Sequence, residues 1–296
     1  MHVVTLRDPV SAVTAQFVPD AGMICTSLKD RGAELLGQRG GLDSYVAKGK
    51  TMGIPILYPW ANRLGANVYT VEGTTVTLTP GQNGVRLDPN GLPIHGVLAA
   101  YSGWQVRTES ASELTAELDF GADPKLFASF PFPHLLTMTV SLFARNLTVR
   151  TTVTATGDQG VPVCFGFHPY LQLPGVPRAD WVIETPPLRH LLLDHQGLPT
   201  GQKTEQPAAC ERLGDKAFDD GYDQVADGSV FAVSGGGRRL EVHFEQGYPA
   251  AQIFAPTSED VVCFEPMTAP ADALRRGGYR LARRGEPAAA VFAIRV

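Results

Sequence analysis

The chain has 296 residues, 44% of them hydrophobic and 19% charged, with a formal net charge of -5. A mildly acidic chain is a poor polyanion binder, which argues against nucleic acid as a partner. No stretch approaches the roughly 18 uninterrupted apolar residues of a membrane span, so a membrane partner is not expected either.

In chain order, Met1 to Val10 (MHVVTLRDPV) alternates in polarity and carries Arg7 and Asp8. It lacks the apolar run of a secretory signal, so a cytoplasmic protein is expected. Leu114 to Phe120 places Leu114, Ala116, Leu118 and Phe120 against Thr115, Glu117 and Asp119. That period of two marks a half-buried strand. Pro124 to Ser129 is the best candidate for a short helical turn. In Leu135 to Phe143, Leu136, Met138, Val140 and Leu142 alternate with Thr137, Thr139 and Ser141. Ala144-Arg145-Asn146 then turns the chain into a further strand, Leu147 to Ala155. Residues 195–217 read as a long polar loop. Ser234 to Gly237 (SGGG) separates two strands, the second alternating Leu240, Val242 and Phe244 with Glu241, His243 and Glu245.

The 31 glycines and 23 prolines fit many short strands better than long helices. No internal repeat or linker interrupts the pattern. The fold class expected is all-β, a large antiparallel β-sandwich forming one domain over residues 1–296. The four cysteines (Cys25, Cys164, Cys210, Cys263) show no CxxC or CxH spacing. They are expected to be free thiols, those in apolar runs buried, with no structural zinc site.

Five segments combine polar residues with glycine or proline beyond what packing requires. They are Gly53–Gly65 (GIPILYPWANRLG), Asn90–Gly96 (NGLPIHG), Val163–Tyr170 (VCFGFHPY), Phe218–Asp223 (FDDGYD) and Cys263–Asp272 (CFEPMTAPAD). Of seven histidines, His2, His190, His195 and His243 read as surface residues, and His134 is ambiguous. His95 and His168 sit in the glycine- and proline-bounded segments, where imidazole can move protons near neutral pH. Glu265 lies in the apolar run Val261 to Pro266. Burial there raises a carboxylate's pKa and suits a general base. A structural ion pair with an arginine is the plainer alternative. Arg63, beside Asn62, offers a fixed fork of donors. Asp219, Asp220 and Asp223 fit sugar hydroxyls or a simple turn.

The ordered set GIPILYPWANRLG, LPIHG, GFHPYL, FDDGYD and CFEPMTAP resembles the aldose 1-epimerase (galactose mutarotase) family from about residue 15 to the C-terminus. The resemblance implies a β supersandwich with an open cleft, acting on a free aldose such as galactose or glucose without cofactor or metal. It implies Glu265 as general base and His168 as general acid, with His95 near the ring oxygen. Asn62 and Arg63 match the family's Asn-Arg pair, whose arginine binds sugar hydroxyls. Asp219 best matches the substrate-binding aspartate, with Asp220 and Asp223 as alternatives. Tyr170 or Trp60 would offer an apolar face to the sugar or belong to the core. Leu171 stands where the family often has a second aromatic residue.

The expected activity is therefore interconversion of α and β anomers, with a small-molecule sugar as partner and a monomer or weak homodimer as assembly. A sugar-phosphate 1-epimerase is the closest rival, with Arg275, Arg276, Arg280, Arg283 and Arg284 as a basic cluster. A glycosidase would need paired carboxylates. A binding module without catalysis has no use for the acid–base set, and a cupin-like metal site would need closely spaced histidines.

Overall fold

In a computed structural model that describes residues 1–296, the chain folds around two large antiparallel sheets. The first has nine strands, in spatial order Ala209–Arg212, Val182–Thr185, Ser229–Gly235, Arg238–Gln246, Ala288–Arg295, Asn146–Ala155, His134–Phe143, Glu113–Asp119 and Gln105–Glu109. The second has seven, in the order Pro199–Gln206, Leu188–Leu193, Phe218–Asp223, Ala250–Ala255, Cys263–Met267, Gly166–Phe167 and Ile56–Leu57. A four-stranded sheet from the N-terminus flanks them.

The sequence alternation explains the layering. Leu136, Met138, Val140 and Leu142 are buried along one face of their strand, as are Leu114, Ala116 and Leu118 beside it. The hairpin between 143 and 146 turns through Ala144 and Arg145, both with positive φ. That is the two-residue turn whose twist matches the flanking strands. The two sheets meet through aromatic pairs, Phe231 with Phe264 at 5.5 Å and Phe167 with Phe292 at 4.9 Å between ring centroids. One contiguous apolar cluster runs from Val4 to Ile294.

One sequence expectation about the fold is corrected. Residues 195–217 are not one loop: Pro199–Gln206 and Ala209–Arg212 are strands at the edges of the two sheets. Nearly every residue of 199–206 is exposed, so no apolar alternation marked it. Besides the expected helix at Pro124–Ser129, short helices form at Gly41–Lys48 and Ala273–Arg276. The longer of these buries only Tyr45, too little for a helical period to register.

His134 is fully buried, bonded to the Tyr58 hydroxyl and the Phe132 carbonyl oxygen. Trp60 is a core residue. Cys25, Cys164 and Cys263 are buried free thiols and Cys210 is an exposed one. No helix is long and apolar enough to cross a membrane.

Candidate active site

The seven-stranded sheet builds one wall of the site through its register. Gly221, Gln252 and Glu265 lie opposite one another on three neighbouring strands, as do Asp219, Phe254 and Cys263. Side chains alternate between faces. Phe264 points into the sandwich, against Phe231, so Glu265 points the other way. Phe167 likewise packs inward on Phe292, and His168 after it reaches the same outer face as Glu265.

The opposite wall comes from two loops stitched together. The His95 amide donates to the Asn62 carbonyl at 2.9 Å, and the Leu64 amide to that of Pro93 at 2.8 Å. Asn62 and His95 both hold positive φ, 56° and 61°. Backbone strain of this kind in non-glycine residues gathers at functional sites. Gly96 also has positive φ, and a Cβ there would fall 2.0 Å from the Tyr58 carbonyl oxygen, so the close approach that seats His95 requires glycine. Asp272 anchors the arginine segment: its amide donates to the Arg63 carbonyl, and its carboxylate accepts from the Gly65 amide at 2.7 Å.

These walls enclose a cavity of about 400 Å³ lined by Asn62, Arg63, His95, His168, Tyr170, Asp219 and Glu265, every site residue expected from sequence. His168 Nε2 lies 3.2 Å from Glu265 Oε1 and 3.2 Å from the Tyr170 hydroxyl. The His168 ring stacks on Tyr170 at 4.2 Å, and the His95 ring is 5.6 Å away. Tyr170 is held in turn by Thr51 at 2.6 Å and by Arg39 Nη1 at 3.0 Å, while Arg39 grips Glu259 through two bonds of 2.7 and 2.9 Å. Glu265 has no arginine bonded to it, which removes the structural ion-pair reading.

Arg63 is aimed by its neighbours. Its Nε donates to Asp88 at 2.7 Å, and its backbone amide and Nη1 donate to Asn62 Oδ1 at 2.8 and 3.2 Å. Asn62 thus reaches the cavity partly by holding Arg63. A Cβ at Gly197 would come 2.8 Å from Arg63 Nη1, so the turn at Asp194–Leu198 covers the arginine.

The three aspartates separate cleanly. Asp219 lines the cavity and accepts from Gln252 at 2.7 Å. Asp220 projects to the other face and meets His190 at 3.2 Å, so His190 is not a plain surface residue. Asp223 is occupied by Arg189 and Lys203.

Electrostatically the site favours neutral groups. Burial lifts the Glu265 pKa well above the usual carboxylate value, with the Asp219 charge adding to the effect and Arg63 opposing it. Burial holds His168 well below the ordinary imidazole value, helped by His95 and Arg39. His95 is pushed down to about 3 by burial and by the charges of Arg63 and Arg86. Burial therefore disfavours charge on both members of the 3.2 Å contact. Glu265 Oε2, His168 Nδ1 and His95 Nδ1 are buried without any partner. Three residues that line one cavity thus each keep a buried polar atom without a partner, which is uncommon outside functional sites. No group of three or more His, Cys, Asp or Glu side chains has the arrangement to hold a metal ion.

Sequence reasoning missed Arg39, Thr51, Asp88 and Phe254 as cavity residues. Asp88, in Leu87-Asp88-Pro89-Asn90-Gly91, reads locally as a turn former, and it does accept from the Asn90 and Leu92 amides. Nothing local announces its bond to a residue 25 positions away.

The basic cluster near the C-terminus lies outside this cavity. Arg275 and Arg276 bind Asp272, Arg284 binds Asp158, and Arg280 meets backbone carbonyls.

Residues 2–294 match the family model described as aldose 1-epimerase. No curated protein sequence matches the chain significantly. Among solved structures, the chain is similar to the Slr1438 protein of Synechocystis, at 20% identity over 99% of this chain and 95% of that one, with a TM-score of 0.80. A galactose mutarotase related enzyme from Lactobacillus acidophilus gives 18% identity, coverage of 99% and 97%, and a TM-score of 0.80. The GalM/aldose epimerase homologue from C. elegans gives 15%, 99% and 98%, and 0.80. Identities this low establish a shared fold.

Proposed function

The chain belongs to the aldose 1-epimerase family, and on that premise we propose that it interconverts the α and β anomers of an aldose. The observation that carries this reading is the buried His168–Glu265 pair, 3.2 Å apart and open to a cavity of sugar size. The hydroxyl oxygen on C1 and the ring oxygen are bonded to the same carbon, so two adjacent groups can address both.

Glu265 is the base that takes the C1 hydroxyl proton, and His168 is the acid that protonates the ring oxygen. The C1–O5 bond breaks, the aldehyde turns about C1–C2, and the same groups run the step backwards on the other face. Glu265 as carboxylate with His168 as imidazolium contains the same number of protons as the neutral pair. Opening and closing the ring exchange these two forms without proton uptake from water. The low-dielectric cavity keeps both forms accessible by penalising any state with one more or one fewer proton. Each positioned transfer contributes roughly 10²–10⁴-fold.

His95, neutral near pH 7, hydrogen-bonds at the ring oxygen side. Arg63 and Asp219 hold the ring hydroxyls, Asn62 fixes Arg63, and Tyr170 backs the His168 ring. The continuous core leads us to treat residues 1–296 as one domain.

The test is polarimetry on freshly dissolved α-glucose and α-galactose. Wild-type protein accelerates the optical change, and Glu265→Gln removes the catalysed part. Full activity in the variant rejects Glu265 as base.

A further inference from the structure

A second cavity, of about 600 Å³, adjoins the first, and Arg39, Thr51, Ile94 and His95 line both. Its other charged residues are Lys48, Lys50 and Arg86, and no carboxylate is among the sixteen that line it. Arg39 is neutralised by Glu259. Lys48, Lys50 and Arg86 have no ion-pair partner.

Arg86 is the notable member. Its one hydrogen bond is to the Ala99 carbonyl oxygen at 3.3 Å, and burial lowers its pKa. A half-buried guanidinium with no acid beside it is free to take an anion. Its position is built in. Gly49 has positive φ, and a Cβ there would fall 1.9 Å from Arg86 Nη1, so the guanidinium lies directly on the Gly49 backbone. The charge is felt at the catalytic end too, where it helps lower the His95 pKa.

The direction of the sugar follows from the chemistry proposed above, on which this inference rests. With C1 at Glu265 and the ring oxygen at His168, C5 and its substituent lie beyond the ring oxygen, away from Glu265. The residues there are His95, Thr51 and Arg39, which form the passage into the basic cavity.

We infer that this basic annex receives an anionic group carried on C6 of the substrate, a phosphate ester or a carboxylate, so that the preferred aldose is an acidic one. Arg86 is the principal anion contact, with Lys48 and Lys50 at the mouth.

The experiment is NMR exchange spectroscopy between anomeric protons at equilibrium. It compares glucose, glucose 6-phosphate and glucuronate with wild-type protein, Arg86→Met and Arg86→Lys. Wild type should show a kcat/KM for one of the acidic sugars at least about 10-fold above that for glucose. Whichever acid is favoured identifies the anion. In Arg86→Met the ratio of acidic to neutral kcat/KM should fall about 10- to 100-fold, the usual effect of losing a charge-assisted contact, with partial recovery in Arg86→Lys. A fold defect would lower both rates and leave the ratio alone.

Glucose turned over as well as both acids, or a ratio unmoved by Arg86→Met, overturns the annex and leaves the epimerase reading intact. If no sugar exchanges faster, calorimetry with glucose 6-phosphate and glucuronate decides. Binding weakened by Arg86→Met supports the annex while rejecting the epimerase, and absence of binding rejects both.

Discussion

Glu265→Gln should make the protein more stable while disabling it, and the two effects have one cause. The Glu265 side chain is 2% exposed, has His168 as its only bonded neighbour, and leaves Oε2 unpartnered. In the unfolded chain this carboxyl ionises in the ordinary range. In the fold it keeps its proton to higher pH, because burial penalises the anion. Its contribution to stability is therefore fully present below the unfolded pKa and is lost as pH rises through the folded one.

Glutamine has nearly the same shape, can donate to His168 Nε2, and carries no charge. A buried polar atom left without a partner costs about 1–3 kcal/mol. In a chain of this length each kcal/mol moves Tm by about 2 °C. The variant should melt about 2–6 °C above wild type at pH 8, with the gap closing toward pH 5. Its kcat should fall about 10²–10⁴-fold. Thermal melts at both pH values, paired with polarimetry, measure the two effects. A variant less stable than wild type at pH 8, or a gap independent of pH, refutes the claim that this carboxyl is held against its own solvation.

The pH profile of kcat/KM should be flat through the ordinary imidazole pKa of about 6.5. Burial delays a second proton on the His168–Glu265 pair to lower pH and loss of the shared proton to higher pH. A limb centred near 6.5 would contradict this. Asp88→Asn should raise KM more than it lowers kcat. It should also reduce stability by about 1–3 kcal/mol in urea titrations, because Asp88 serves Arg63 and two backbone amides at once. Asp219→Asn should lower kcat/KM about 10-fold, while Asp220→Asn stays within about 2-fold of wild type. Equal effects would mean that the register does not separate the two aspartates as described.

The sequence alone determined the strands whose faces differ in polarity. Leu136 to Leu142 and Leu240 to Phe244 alternate because one side of each strand is buried, and burial leaves its record in residue choice. It also singled out Glu265, His168 and His95, since ionisable groups between apolar runs are expensive unless they serve a purpose. The strand at Pro199–Gln206 left no such record, being an edge strand wetted on both sides. Only tertiary structure decided which aspartate enters the cavity, because Asp219, Asp220 and Asp223 differ in pleat and partners, not in local sequence. Arg39, Asp88 and Arg86 became legible only in three dimensions. Their meaning lies in Glu259, Arg63 and Gly49 respectively, and loop packing rather than any local period brings each pair together.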